Sequence, residues 1–296
     1  MKKPIFEGVC TAMVTPFTED GIDYACMGRL IDRQFEAGTT ALLICGTTGE
    51  AATMTSDEHE RLLRYAAYYN NGRMKLIAGI GANRTETALH YGKVAQESHY
   101  DGVLMVTPYY NKTTQDGLVQ HFTYVADRID LPMILYNVPS RTGISIAPDT
   151  YLELSKHPNI NGVKEASGDL SLVSKLHSRC GDELNIWSGN DDQTLPMMSL
   201  GAKGVISVAS NVIPGPMTEL CSLCLSGKFE QARSIHETYA ELFEELFMET
   251  NPIPVKTLMN HLNLSVGCFR LPLVPMKMEH LNRLLALGKK YEFIVN

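Results

Sequence analysis

Lys164 closes the apolar run Ile160-Asn161-Gly162-Val163 and is followed by Glu165-Ala166. An amine at such a place is a candidate nucleophile, because a neutral lysine adds to a carbonyl and the carbinolamine then loses water to give an imine. A free lysine is protonated at neutral pH, so its surroundings have to favour the neutral form. The bland alternative is a lysine paired with Glu165 or another carboxylate at a strand end. Tyr136 closes the preceding apolar run, Met133-Ile134-Leu135, where its phenol can pass a proton to and from a carbinolamine. Tyr110 and Thr47 carry further hydroxyls that would connect that phenol to solvent, although alone they read as packing and as a helix cap. Thr47-Thr48-Gly49 is a turn of small residues leading into a helical segment, and N–H groups there suit a carboxylate. Arg141, in a loop bent by Pro139 and Gly143, has the donor fork for a second carboxylate, with a surface arginine as the alternative. Together these groups fit a keto acid.

Groups this far apart in sequence need a fold that gathers them. Apolar, β-rich runs recur at 9–14, 41–45, 75–80, 102–106, 133–136, 160–164, 184–187 and 204–208. Helical spacing separates them, as in Met27, Leu30, Ile31 and Phe35, or Leu118, His121, Phe122 and Val125. The runs lack polar alternation, as expected of parallel strands covered on both faces. Eight such units predict an α/β fold, a (β/α)8 TIM barrel over residues 1–226. Helical runs at 229–248, 254–262 and 275–287 predict a C-terminal helical extension over 227–296. A doubly wound sheet is the competing architecture, but the first strand leads into Thr15-Pro16-Phe17 rather than a glycine-rich phosphate loop. In a barrel the polar clusters after the strands meet at the C-terminal face, which brings Thr47, Tyr110, Tyr136 and Lys164 toward one cavity.

The chain of 296 residues carries 26 Lys and Arg against 33 Asp and Glu, a formal charge of −7, which argues against a nucleic-acid surface. No stretch has the length of a membrane span or a signal-peptide core. The seven cysteines are odd in number and scattered, so a reducing cytoplasm is the expected location. Cys221 and Cys224 form one C-x-x-C in an apolar helical run without a second pair, and read as buried helix cysteines. Asn190, Asp191 and Asp192 read as caps of the following helix rather than metal ligands. Asp57-Glu58-His59-Glu60 reads as an exposed first helical turn.

Gly46-Thr47-Thr48-Gly49-Glu50, Thr107-Pro108-Tyr109-Tyr110-Asn111, Tyr136 to Gly143, Gly162-Val163-Lys164-Glu165-Ala166 and Asn251-Pro252-Ile253-Pro254-Val255-Lys256 are motifs through which the whole chain resembles one family. It is that of the dihydrodipicolinate synthases, in the pyruvate-dependent N-acetylneuraminate lyase group. The resemblance implies that Lys164 forms an imine with pyruvate and Tyr136 donates and accepts protons. Thr47 and Tyr110 complete the relay, Tyr110 being contributed to a neighbouring subunit. Thr48 and Ile206, the latter in Gly-Val-Ile-Ser-Val, would bind pyruvate, and Arg141 would hold the carboxylate of L-aspartate 4-semialdehyde. No metal or organic cofactor is implied, since the imine is the electron sink, and the implied assembly is a homotetramer of tight dimers.

Lysine-inhibited relatives use a second site near the positions of Ala52, Ser56, His59, Gly81, Asn83, Thr87 and Tyr109, with histidine at Ser56 and glutamate at Thr87. Both are replaced here, so feedback by lysine is expected to be weak or absent unless Glu86 substitutes. Two other readings of the same residues are another pyruvate-dependent aldolase acting on a sugar acid or hydroxy keto acid, and a non-catalytic keto acid sensor. Both proposed substrates are anions, so a chain of net charge −7 has to bind them through local donors.

Overall fold

The computed structural model describes residues 2–293. Eight parallel strands form a closed barrel: β1 (Gly8–Ala12), β2 (Ala41–Ile44), β3 (Lys75–Gly79), β4 (Gly102–Val106), β5 (Met133–Asn137), β6 (Ile160–Glu165), β7 (Asn185–Ser188) and β8 (Gly204–Ser207). Each pairs with its sequence neighbour, and Cys10 closes the ring by lying between Ala41 on one side and Ile206 on the other. The strands fall on the apolar runs, with ends displaced by at most two residues. One such end is set by Cys45, whose φ of 58° stops β2 before Gly46.

Helices α1 (Tyr24–Glu36), α2 (Ser56–Asn70), α3 (Thr85–Glu97), α4 (Gln115–Ala126), α5 (Pro148–Leu154), α6 (Leu170–Cys180), α7 (Thr194–Ser199) and α8 (Pro214–Leu225) follow the strands in turn. Their apolar stripes face the sheet; α1 buries Cys26, Met27, Leu30 and Ile31, but Phe35, expected in the same stripe, is exposed, and the buried position beside it is Gln34, held by hydrogen bonds to Thr11, Thr39 and Ser210. The start of α2 is fixed by a capping box in which Thr55 and Glu58 bind each other's backbone N–H groups. A one-turn helix, Pro139–Thr142, is inserted after β5 and ends at Gly143 in the left-handed conformation. Three more helices follow, α9 (Phe229–Glu245), α10 (Ile253–His261) and α11 (Met278–Lys290). The last begins three residues later than Pro275, after an extended Lys277 whose N–H binds Glu249. Among the described residues no helix is long and apolar enough to cross a membrane.

One feature outside the sequence pattern is a small hairpin, Phe17–Thr18 against Gly21–Ile22. It is where the C-terminal region docks. Phe17 bridges to Gly267, whose φ is 76° and where an added Cβ would lie 1.9 Å from Phe17 O, so only glycine fits.

The barrel interior is packed rather than hollow. Trp187 is fully buried, stacks on Phe6 at 5.0 Å and donates Nε1–H to Phe6 O at 3.2 Å. Burying an indole removes roughly 200 Å² from water, worth about 5 kcal/mol. Trp187 pairs in register with Lys164 and lies over Gly162, where a Cβ would be 2.7 Å from the ring. The indole therefore makes the floor on which the lysine stands.

Candidate active site

Tyr136 and Lys164 are direct cross-strand partners on β5 and β6, and Val106 and Trp187 extend the same row on either side. Side chains at paired positions of parallel strands share a face, so this row points into the barrel. Lys164 is 5% exposed, and its Nζ lies 4.2 Å from the centre of the Tyr136 ring. Gly189 makes room for it, since a Cβ there would approach Lys164 Cε to 3.1 Å.

The neighbours of this pair in the chain face the other way and bind each other. Asn137 and Glu165 are also in register, and Asn137 Nδ2 donates to both Glu165 oxygens at 3.0 and 3.1 Å. The same carboxylate accepts Tyr151 O–H at 3.0 Å and Ser167 N–H at 2.8 Å, while Asn137 Oδ1 accepts Ile146 N–H at 3.1 Å. Burial raises the Glu165 pKa, opposed by these hydrogen bonds. Glu165 therefore has partners of its own and is not the counter-ion of Lys164. Period-two alternation predicts its outward direction, but its Tyr151 partner comes from a helix that no motif in the sequence marks.

The Lys164 amine forms no ion pair or hydrogen bond with any described residue, and the same holds for the Tyr136 hydroxyl, the Thr47 hydroxyl and the Arg141 guanidinium. Lys164 and Tyr136 are buried, whereas Thr47 and Arg141 are exposed, and a buried polar group left without a partner costs about 1–3 kcal/mol. Thr47, Tyr136 and Arg141 line one cavity of about 430 Å³ at the C-terminal end of the barrel, whereas Lys164, against the Tyr136 ring, is not among its lining residues. Cys10 lies in the same barrel interior, and burial holds its thiol well above the ordinary range, with Lys164 opposing.

The Thr47–Thr48 turn is built under constraint. Cys45 before it and Glu50 after it both take left-handed φ, 58° and 56°, at a cost of about 1–3 kcal/mol for each non-glycine residue. Gly79 lets the turn approach β3, since a Cβ there would meet Cys45 O at 2.2 Å. The turn closes through Gly49 N to Gly46 O and Glu50 N to Thr47 O, and the N–H groups of Thr47 and Thr48 donate to no described acceptor. Thr48 is buried with its hydroxyl accepting from Asn251 Nδ2 at 3.0 Å. Lys256, fully buried on α10, donates to Glu50 Oε1 at 2.6 Å, Cys268 O at 2.7 Å and Thr15 O at 3.1 Å. Burial lowers the Lys256 pKa and the Glu50 carboxylate opposes it. Two of the sequence motifs, 46–50 and 251–256, thus meet in space.

Ile206 is fully buried beside Cys10 in the barrel wall. Tyr110 is not brought to the cavity by its own chain: it is 94% exposed with φ 60°, at the tip of a loop that Asn83 pins by binding both the N–H and the C=O of Tyr109. The residues of the expected lysine site share the cavity with Tyr136, since Ala52, His59, Gly81, Thr87 and Tyr109 line it too. Ser56 is bound by the Tyr91 hydroxyl at 3.2 Å. Glu86, next to Thr87, is exposed and accepts the Tyr124 hydroxyl.

Two local expectations are corrected. His59 belongs to the first turn of α2 but is turned inward, stacked on Tyr91 at 3.9 Å and bound to Gly79 O at 2.9 Å, and burial lowers its pKa to about 4. Asp191 does not cap the following helix: its Oδ2 accepts the N–H groups of Val208 and Ala209, tying the segment after β7 to the end of β8. Cys221 and Cys224 are free and buried in α8, as their apolar run predicts.

The Dihydrodipicolinate synthetase family model matches residues 5–290. A 4-hydroxy-tetrahydrodipicolinate synthase of Thermoanaerobacter sp. (strain X514) is 48% identical over 289 residues, 97% of each chain. The crystal structure of dihydrodipicolinate synthase from Aquifex aeolicus superposes with a TM-score of 0.96 at 46% identity, covering 98% of this chain and all of that one. The Acinetobacter baumannii dihydrodipicolinate synthase complexed with pyruvate superposes with a TM-score of 0.95 at 38% identity, covering 98% of this chain and all of that one.

Proposed function

The chain belongs to the dihydrodipicolinate synthetase family, and on that premise we propose how its barrel mouth works. It condenses pyruvate with L-aspartate 4-semialdehyde to give 4-hydroxy-tetrahydrodipicolinate, on the route to diaminopimelate and lysine. Lys164 attacks the pyruvate ketone and, with loss of water, becomes an imine. Loss of a methyl proton then gives an enamine, whose carbon adds to the aldehyde; the amine of the adduct then adds to the re-formed imine carbon, closing the ring and expelling Lys164 as the free amine. The imine nitrogen takes up the electron pair at each stage, so no metal is needed in this reading. Tyr136 returns a proton to the carbinolamine and to the new alkoxide, with Thr47 as the next hydroxyl outward. The pyruvate carboxylate is assigned to the free N–H groups of the Thr47–Thr48 turn with Ile206 beside it, and the carboxylate of the aldehyde to Arg141.

The observation that carries this reading is a buried amine, 4.2 Å from a phenol ring, with no counter-ion. Tyr110, exposed on its pinned loop, is assigned to the site of a second copy within a homotetramer of tight dimers, and the enzyme to the cytoplasm. Incubation with pyruvate and borohydride, followed by peptide mass analysis, tests the imine. A reduced pyruvate adduct on Lys164 is expected, and its absence refutes the reading. Turnover on adding L-aspartate 4-semialdehyde then separates the synthase from other pyruvate aldolases.

A further inference from the structure

We infer that Asn251, Lys256 and Glu50 are positioning residues for the keto acid subsite, so that the C-terminal helical region shapes the turn that receives the pyruvate carboxylate. The inference rests on the imine chemistry proposed above. None of the three residues lines the cavity, yet each acts on the turn that does. Asn251 reaches it directly, through Nδ2 to Thr48 Oγ1 at 3.0 Å, and its Oδ1 is buried without a partner. Glu50 is the last residue of the turn, in the left-handed conformation, and Lys256 binds its carboxylate with both side chains fully buried. The second Glu50 oxygen accepts Arg270 N–H at 3.3 Å.

A buried ion pair is weak evidence for stability, because apolar residues of the same shape often hold a fold as well. What this one adds is geometry. A single ammonium takes a carboxylate from the turn, the Thr15 carbonyl after β1 and the Cys268 carbonyl from the C-terminal region. It lies against the rings of Phe17 and Phe269 at 4.9 and 5.3 Å. Three segments far apart in sequence are thereby fixed about one point beside Thr47 and Thr48. If either anchor is lost, the turn can relax from its left-handed ends and its two N–H groups no longer converge. Lys164 stays on its strand, locked from behind by Asn137 and Glu165.

The test compares the intact enzyme with Asn251→Ala and with the double variant Glu50→Gln/Lys256→Met, which removes both charges so that neither is left buried alone. Both variants are checked for folding by circular dichroism and thermal melting, and Asn251→Ala alone decides if the double variant does not fold. The expected result is a KM for pyruvate, and a half-saturating pyruvate concentration for borohydride trapping, raised on the order of tenfold to a hundredfold. Trapping at saturating pyruvate and the KM for the aldehyde stay within about twofold of the parent. An unchanged pyruvate KM in a folded variant overturns the inference, and so does an equal rise in both KM values, which would mark general loosening. Failure of the unmodified enzyme to be trapped by pyruvate refutes the proposed function instead, so the two failures are distinguishable.

Discussion

Tyr151→Phe probes the lock behind Lys164. The Tyr151 hydroxyl donates to Glu165 Oε2 at 3.0 Å, and both residues are buried. Phenylalanine occupies nearly the same volume, so the change removes one hydrogen bond and opens no sizeable cavity. A hydrogen bond to an ionised group contributes about 1.5–3 kcal/mol, and one between neutral groups about 0.5–1.5 kcal/mol. Burial raises the Glu165 pKa, while Ser167, Asn137 and Tyr151 oppose it. A carboxyl with a higher pKa folded than unfolded binds its proton more tightly in the native state. Stability therefore falls as pH rises from the ordinary carboxylate range through the folded pKa. Losing the Tyr151 bond raises the folded pKa further, so the substitution costs more when Glu165 is ionised. The expected difference is about 2 kcal/mol at pH 8, shrinking to about 1 kcal/mol once Glu165 is protonated. Urea unfolding of both proteins across this pH range measures it. A difference that does not vary with pH, or one below about 0.5 kcal/mol at pH 8, refutes the view that Tyr151 holds a charged carboxylate.

Tyr136→Phe is expected to keep the borohydride adduct on Lys164 while lowering condensation by about 10²- to 10⁴-fold, because it removes only the proton donor; loss of the adduct would place Tyr136 in the binding of pyruvate. Arg141→Ala is expected to raise the KM for L-aspartate 4-semialdehyde strongly and to spare imine formation, and an unaffected condensation rate counts against the assigned substrate. L-Lysine is expected to leave the rate nearly unchanged, since Thr87 supplies no carboxylate to the cavity and Glu86 is held by Tyr124; inhibition at micromolar lysine would overturn this. His59, with its pKa lowered by burial to about 4 from 6.5, is a base that must stay neutral in the fold. Stability is therefore lost as pH falls from the unfolded value toward the folded one, by up to about 3 kcal/mol. A His59→Gln variant should show a shallower acid dependence of the melting temperature.

The barrel is legible in the chain because a strand covered on both faces has to be apolar along its length, and eight such runs at βα spacing have few other ways to close. The hairpin at Phe17 is not legible, since strands of two residues carry no periodicity. Inside the site the same contrast holds. Tyr136 and Lys164 stand at the ends of their strands, so counting residues along the chain is enough to aim them at the mouth. The placements of His59 and Asp191 are not legible in the chain, because burial and hydrogen-bond partners depend on what packs opposite, Tyr91 and Gly79 for one, Val208 and Ala209 for the other. The fate of Glu165 also lay beyond its neighbours in the chain, since Tyr151, fourteen residues earlier and on a helix, completes its binding.

Residue types and their spacing determined the fold class and placed Tyr136 and Lys164 near the C-terminal ends of neighbouring strands, because both follow from short-range periodicity. Tertiary structure alone decided that the amine has no counter-ion, that Tyr110 points away from its own cavity, and that Asn251 and Lys256 bear on a turn some 200 positions earlier, reached by hydrogen bonds spanning 203 and 206 residues. Those are contacts between segments distant in sequence, and only closure of the barrel and docking of the C-terminal region against it bring the partners within hydrogen-bonding range.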